Sequence, residues 1–126
     1  MLPRPSTPAA RLIVALDVPT VKQARELAST IGPAAGVFKI GLELLYAGGA
    51  ALAQELAKEN HHIFVDAKLL DIPNTVERAT ANISHIGASF LTVHGTDTKT
   101  LEAAVRGRRG TGMKLLAITV LTSLEA

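Results

Sequence analysis

Five short β-rich runs, alternating with helical patterns, constrain this chain more than any other feature. The runs are LIVALDV (12–18), VFKIG (37–41), HIFVDAK (62–68), FLTVHG (90–95) and LLAITVL (115–121). Their starts lie about 25 residues apart, a supersecondary spacing rather than a sequence repeat. Between them, Thr20 and Gln23 form a capping box that opens a helix through Ile31. Leu44, Leu45, Leu52 and Leu56 mark a second helix near 43–59, bent at Gly48 and Gly49. Asn74 or Thr75 caps a third that runs to Ile86, and a fourth spans 98–106. Such alternation folds as right-handed βαβ units around a parallel sheet, with the strands covered on both faces. Five strands and four helices make just over half of a (β/α)8 TIM barrel, which usually takes about 250 residues. A small open α/β sheet is the alternative.

A chain of 126 residues suits one domain. Residues 1–11, MLPRPSTPAAR, read as a flexible tail, with three prolines and no apolar h-region of a secretory signal. Residues 12–126 read as the N-terminal portion of a single barrel domain. The apolar share of 48% and charged share of 19% describe a globular chain. A net charge of +2 generates no strong field toward nucleic acid or a membrane surface. No run approaches the roughly 18 apolar residues of a membrane span. The absence of cysteine removes disulfides and thiolate metal sites, and favours an intracellular, cytoplasmic setting.

The carboxyl ends of the runs carry the chemistry. Asp17 closes the first, Lys39 lies in the second, Asp66 and Lys68 close the third, and His94 closes the fourth. Thr122 and Ser123 follow the fifth. In a parallel α/β fold these ends share one face, where barrel enzymes build their sites. Strand alternation turns Asp66 and Lys68 to the same side and Ala67 away. Lys39 and Asp17 project onto the same spot from neighbouring strands, and Asp71 can fold back over the rim. Charges at such a place must pair, so their alternating sign is a physical requirement. An ammonium held between carboxylates stays protonated, stabilises a negative charge developing beside it, and then hands over a proton. That suits a carbanion formed with no metal or cofactor.

Taken singly, Asp66 with Lys68 is an ordinary ion pair, Asp71 with Pro73 a turn, and Asn74 a helix cap. Their concentration on one face with Lys39 and Asp17 favours a site. His94 reads as a satisfied core or rim residue that cannot hold a metal alone. His61 and His62 read as a surface pair. The basic loop GRRGTGMK (107–114) lacks the P-loop order and leads into a strand, which puts it on the face opposite the site, in solvent.

ALD at 15–17, FKIG at 38–41, DAKLLDIPNT at 66–75 and VLTS at 120–123 resemble the signature of the orotidine 5'-phosphate decarboxylase family, from about residue 12 onward. The Asp-x-Lys-x-x-Asp core is shared with sister sugar-phosphate decarboxylases and synthases that need Mg2+. The Ile-Pro-Asn-Thr continuation, with the spaced ALD and Lys-x-Gly, is more specific. The resemblance implies the last step of UMP synthesis, loss of CO2 from orotidine 5'-phosphate without metal or cofactor. By that likeness Lys68 gives the proton to C6 and Asp66 sits beside the departing carboxylate. Lys39 holds the ribose hydroxyls, Asp17 binds the ribose, and Thr122 and Ser123 contact the pyrimidine. Asp71 and Thr75 cross a homodimer interface to the partner's ribose, and Ile72 lines the pocket. Nothing in the resemblance calls for nucleic acid or membrane.

Family members resemble complete eight-stranded barrels, and barrels often place their phosphate site after strands seven and eight. The 126 residues alone are therefore expected to be weakly active or inactive, since remote phosphate contacts help to drive chemistry elsewhere. A half-barrel that serves as a non-catalytic assembly module, with open edges at its first and fifth strands, is the other expectation.

Overall fold

A computed structural model describes residues 4–124. The five runs form strands β1 (Ile13–Ala15), β2 (Val37–Gly41), β3 (His62–Leu69), β4 (Phe90–His94) and β5 (Lys114–Ile118). They pair in parallel, each with its neighbour in the chain, as one sheet of order β1-β2-β3-β4-β5. The helices are α1 (Val21–Ile31), α2 (Leu42–Leu44), α3 (Ala50–Lys58), α4 (Pro73–His85) and α5 (Thr98–Gly107).

Strand alternation divides the sheet sharply. Phe38, Ile40, Ile63, Val65, Leu91 and Val93 point to one side and are fully buried in a single core. That core also takes Ala24 and Ala28 of α1, Leu52 and Leu56 of α3, Val76 of α4, and Ala103 and Ala104 of α5. On the opposite face Ile13 and Leu116 are exposed and Lys39, Phe64 and Asp66 are partly exposed. The helices thus cover one face, which corrects the expectation that both would be covered. A doubly wound open sheet reverses its strand order and carries helices on both sides. Sequential order with one-sided helices is the winding of a barrel wall, whose other face turns toward the axis.

Local chemistry explains the elements. Thr20 caps α1, its hydroxyl accepting from the Gln23 amide at 3.2 Å and donating to the Gln23 side chain at 3.0 Å. The second helical region bends as expected: α2 runs through a π-helical turn, Leu45–Gly49, into α3. Gly48 there has φ +101°, a conformation that glycine takes without steric cost. Neither Asn74 nor Thr75 caps α4. Ile72 is its N-cap and Pro73 its first residue, where a missing N–H costs nothing. Asp97 caps α5 through the Thr100 amide. Of the stretch expected as a tail, Ala9–Arg11 form a 3-10 turn and residues 1–3 lie outside the described residues. Among the described residues no helix is long and apolar enough to cross a membrane.

Helices α4 and α5 pack closely at Gly107. A Cβ there would overlap the Glu77 carbonyl oxygen and stand 2.8 Å from the Thr80 Cβ. Thr80 is itself fully buried on α4. Gly107→Ala is expected to lower unfolding free energy by about 1–3 kcal/mol through overpacking. The check is a lower denaturant midpoint at unchanged m-value.

Candidate active site

The site begins at an irregularity between β3 and β4. Val65 lies opposite Leu91, yet the next pairing is Leu69 with Val93, so an advance of four residues along β3 meets an advance of two along β4. Lys68, inside this bulge, has φ +46°, a left-handed conformation that costs an L-residue of order 1 kcal/mol or more. Bulges re-aim side chains, and this one aims Lys68. The expectation that plain alternation would align Asp66 and Lys68 reached the right outcome through an incomplete cause. They do converge, but the bulge directs the lysine.

The convergence is close. Lys68 Nζ donates to Asp66 Oδ1 at 2.8 Å and Oδ2 at 2.9 Å. Lys39 Nζ, from β2, lies 3.5 Å from Asp66 Oδ2. The Asp66 side chain is only 14% exposed, against 24% for Lys39 and 34% for Lys68. Two ammonium groups thus share one carboxylate, and the spot keeps a surplus of positive charge for an anion or a developing carbanion.

Thr92 of β4, which sequence reasoning passed over, completes the arrangement. Its hydroxyl donates to Asp66 Oδ1 at 2.8 Å and accepts from the Lys68 amide at 2.9 Å. The signal available was a hydroxyl residue inside an apolar run, two positions before His94 on the same face.

Asp66, Lys39, Lys68 and Thr92 line a cleft of about 540 Å3, with Thr122 and Ser123 from the turn after β5. Phe64, Ile118, Val120 and Leu121 supply its apolar wall. Phe64 is braced edge-to-face by Phe90, ring centroids 6.0 Å apart. One side is therefore charged and the other fits a flat apolar ring.

Other expected residues stand apart. Asp17 is exposed and, among the described residues, makes no ion pair. Its Oδ1 and Lys39 Nζ both border the space beside Gly41, so it flanks the cluster. Asp71 does not fold back over the cluster of its own chain. Its Oδ1 accepts from the Ile72 amide at 2.7 Å, and Pro73 then starts α4, which turns the loop outward. Asp71, Ile72 and Thr75 are all exposed, Ile72 at 66%. His94 is half-buried and outside the cleft lining. In the basic loop Arg108 donates to the Met113 carbonyl at 2.7 Å, at the end of the sheet opposite the cleft.

Burial pushes the Asp66 carboxyl up. The Lys68 and Thr92 hydrogen bonds and the charges of Lys68 and Lys39 more than offset this, leaving it below the ordinary value of 3.8. A group lowered in the folded state adds stability that is present above its unfolded value and lost as pH falls through the folded one. The network is therefore expected to stay intact above about pH 4 and to come apart only below the ordinary carboxylate range. Titration of the Asp66 carboxyl carbon by NMR in the full protein checks this; a midpoint above 3.8 contradicts it.

The family profile described as Orotidine 5'-phosphate decarboxylase / HUMPS family matches residues 10–126. The chain is 50% identical over 124 residues to a Bradyrhizobium sp. (strain ORS 278) protein named orotidine 5'-phosphate decarboxylase, and 52% identical over 124 residues to one of the same name from Methylorubrum extorquens (strain PA1). Each match covers 98% of this chain, and 51% and 53% of the relative. A crystal structure of orotidine 5'-phosphate decarboxylase from Lactobacillus acidophilus superposes with a TM-score of 0.82 at 33% identity, over 90% of this chain and 55% of that one. The chain thus spans about half the length of the curated relatives it matches.

Proposed function

The chain belongs to the orotidine 5'-phosphate decarboxylase / HUMPS family, and from that membership we propose that the protein carrying it converts orotidine 5'-phosphate to UMP and CO2. The observation that carries the reading is the Lys68 ammonium held at 2.8 and 2.9 Å on Asp66 at the mouth of a cleft with an apolar wall. The bond from C6 to the carboxylate breaks, its electron pair stays on C6, and CO2 leaves. A proton from Lys68 Nζ then closes the C6 position, and solvent restores the ammonium. Lys68 is the proton donor, and Asp66 borders the departing carboxylate while fixing the lysine. Lys39 and Asp17 hold the ribose from the β2 side. Thr122 and Ser123 meet the pyrimidine, whose faces fit between Phe64 and the Ile118–Leu121 wall. Lys68, Asp66, Lys39 and Asp71 form the catalytic set, and no metal or cofactor takes part.

The protein works as a cytoplasmic homodimer in this reading. Asp71, Ile72 and Thr75 face away from their own cleft, beside the exposed Leu70, which supports their reaching a partner's site. Purified full protein with orotidine 5'-phosphate, followed by loss of substrate absorbance and UMP formation, tests the function. A full rate in chelator supports it. No UMP, with turnover of a ketose or hexulose phosphate that stops in chelator, would instead assign the sister chemistry that shares the Asp-Lys-Asp core.

A further inference from the structure

The bulge in β3 takes the Lys68 amide out of register with β4, which pairs Val65 with Leu91 before it and Leu69 with Val93 after it. A backbone donor so placed needs another acceptor. The Thr92 hydroxyl supplies it at 2.9 Å and passes its own proton to Asp66 Oδ1 at 2.8 Å. The same Oδ1 accepts from Lys68 Nζ at 2.8 Å. The bonds therefore close a ring that runs from the Lys68 amide through Thr92 and Asp66 to the Lys68 ammonium. Lysine, the longest flexible side chain in the cluster, is fixed at both ends through one hydroxyl, on a threonine that is 2% exposed.

We propose that Thr92 is a positioning residue: its hydroxyl pins the left-handed Lys68 backbone and orients Asp66, so that the lysine proton is aimed at one point of the cleft. Valine has the same shape but neither the donor nor the acceptor, and with it the Lys68 amide becomes an orphan. The ammonium then keeps its charge but not its direction. A small misplacement of a reacting group lowers rate far more than it lowers binding. Asp66 also loses one of its donors. The charged groups that face Asp66 are Lys68 on its own strand and Lys39 on β2, with Asp17 beyond Lys39. On β4 Thr92 bonds Asp66, while His94, two positions on along the same face, is half-buried and outside the cleft lining; Ile118 is the cleft residue on β5. Removing Thr92 therefore shifts Asp66 toward protonation at higher pH without changing any charge.

This inference rests on the decarboxylase reading for its kinetic arm only. The experiment compares the full protein with Thr92→Val, Thr92→Ser and Thr92→Ala. In Thr92→Val, kcat for orotidine 5'-phosphate is expected to fall roughly 10- to 100-fold with KM changed less than about threefold, the loss of hydrogen bonds to charged groups. Thr92→Ser should stay within about threefold of the parent. The Asp66 carboxyl midpoint, read by NMR without substrate, should rise in valine and return in serine. Serine and alanine both lose the γ-methyl and differ only in the hydroxyl, so if valine fails to fold, the difference between those two carries the test. Equal rates and equal Asp66 midpoints in serine and alanine overturn the proposal. If the parent protein makes no UMP, the functional reading fails, and the Asp66 midpoint alone decides whether Thr92 orients the pair.

Discussion

Lys68→Ala in the full protein is expected to lower kcat for orotidine 5'-phosphate decarboxylation about a thousandfold, within the range for a lost general acid. The reason is geometric as well as chemical. Lys68 supplies the ammonium that is bonded to both oxygens of Asp66 at the cleft mouth. Lys39 lies farther off at 3.5 Å on a different strand and cannot replace it. Alanine also removes the main cation opposing Asp66 and leaves that carboxylate beside the substrate's own. Binding should weaken less than turnover, since ribose and ring contacts come from other residues. Steady-state kinetics check this, with circular dichroism to show that the fold is kept. A rate within tenfold of the parent's would remove Lys68 from the proton-donor role.

Asp66→Asn is expected to cost roughly a hundredfold or more in kcat, for a different reason. Asparagine is nearly the same size but neutral, so it leaves Lys39 and Lys68 as two like charges with nothing between them. The lysines then separate toward solvent, and the proton is no longer held over the reacting carbon. The fold should survive, because both lysines are a quarter to a third exposed and water screens their repulsion. A melting temperature within a few degrees of the parent's, beside the lost rate, is the expected pair of results. A large fall in stability with near-parent activity would make the pair an ordinary structural bridge.

Much of this site was legible in the sequence, because strand ends in a parallel fold must share a face. The positions of Lys39, Asp66, Lys68, Thr122 and Ser123 along their runs sufficed to place them together, and the cleft contains all five. What the sequence hid was non-local. Nothing in VDAKLL announces a four-against-two register with β4, since a bulge is defined by the partner strand. Thr92 showed only as a hydroxyl inside an apolar run, since its bonds to Asp66 and the Lys68 amide exist only when β4 lies against that bulge. That Asp71 can fold back over its own cluster is not borne out, because charge pattern says nothing of direction; only the resemblance pointed Asp71 away. Its bond to the next amide and the proline that starts α4 send it outward. The start of α4 was likewise given to Asn74 or Thr75, although Pro73 at the first position begins a helix without a side-chain cap.

In the proposed reaction Lys68, held by Asp66, delivers its proton to C6 of a pyrimidine nucleotide. The most direct measurement is the distance from Lys68 Nζ to C6 in a crystal structure of the full protein with UMP or a C6-substituted analogue bound. Nζ is expected within hydrogen-bond reach of C6 or its substituent, about 2.6–3.2 Å, with Asp66 on the same side of the ring. A nucleotide bound elsewhere, or in the cleft with Lys68 turned away from C6, would contradict it.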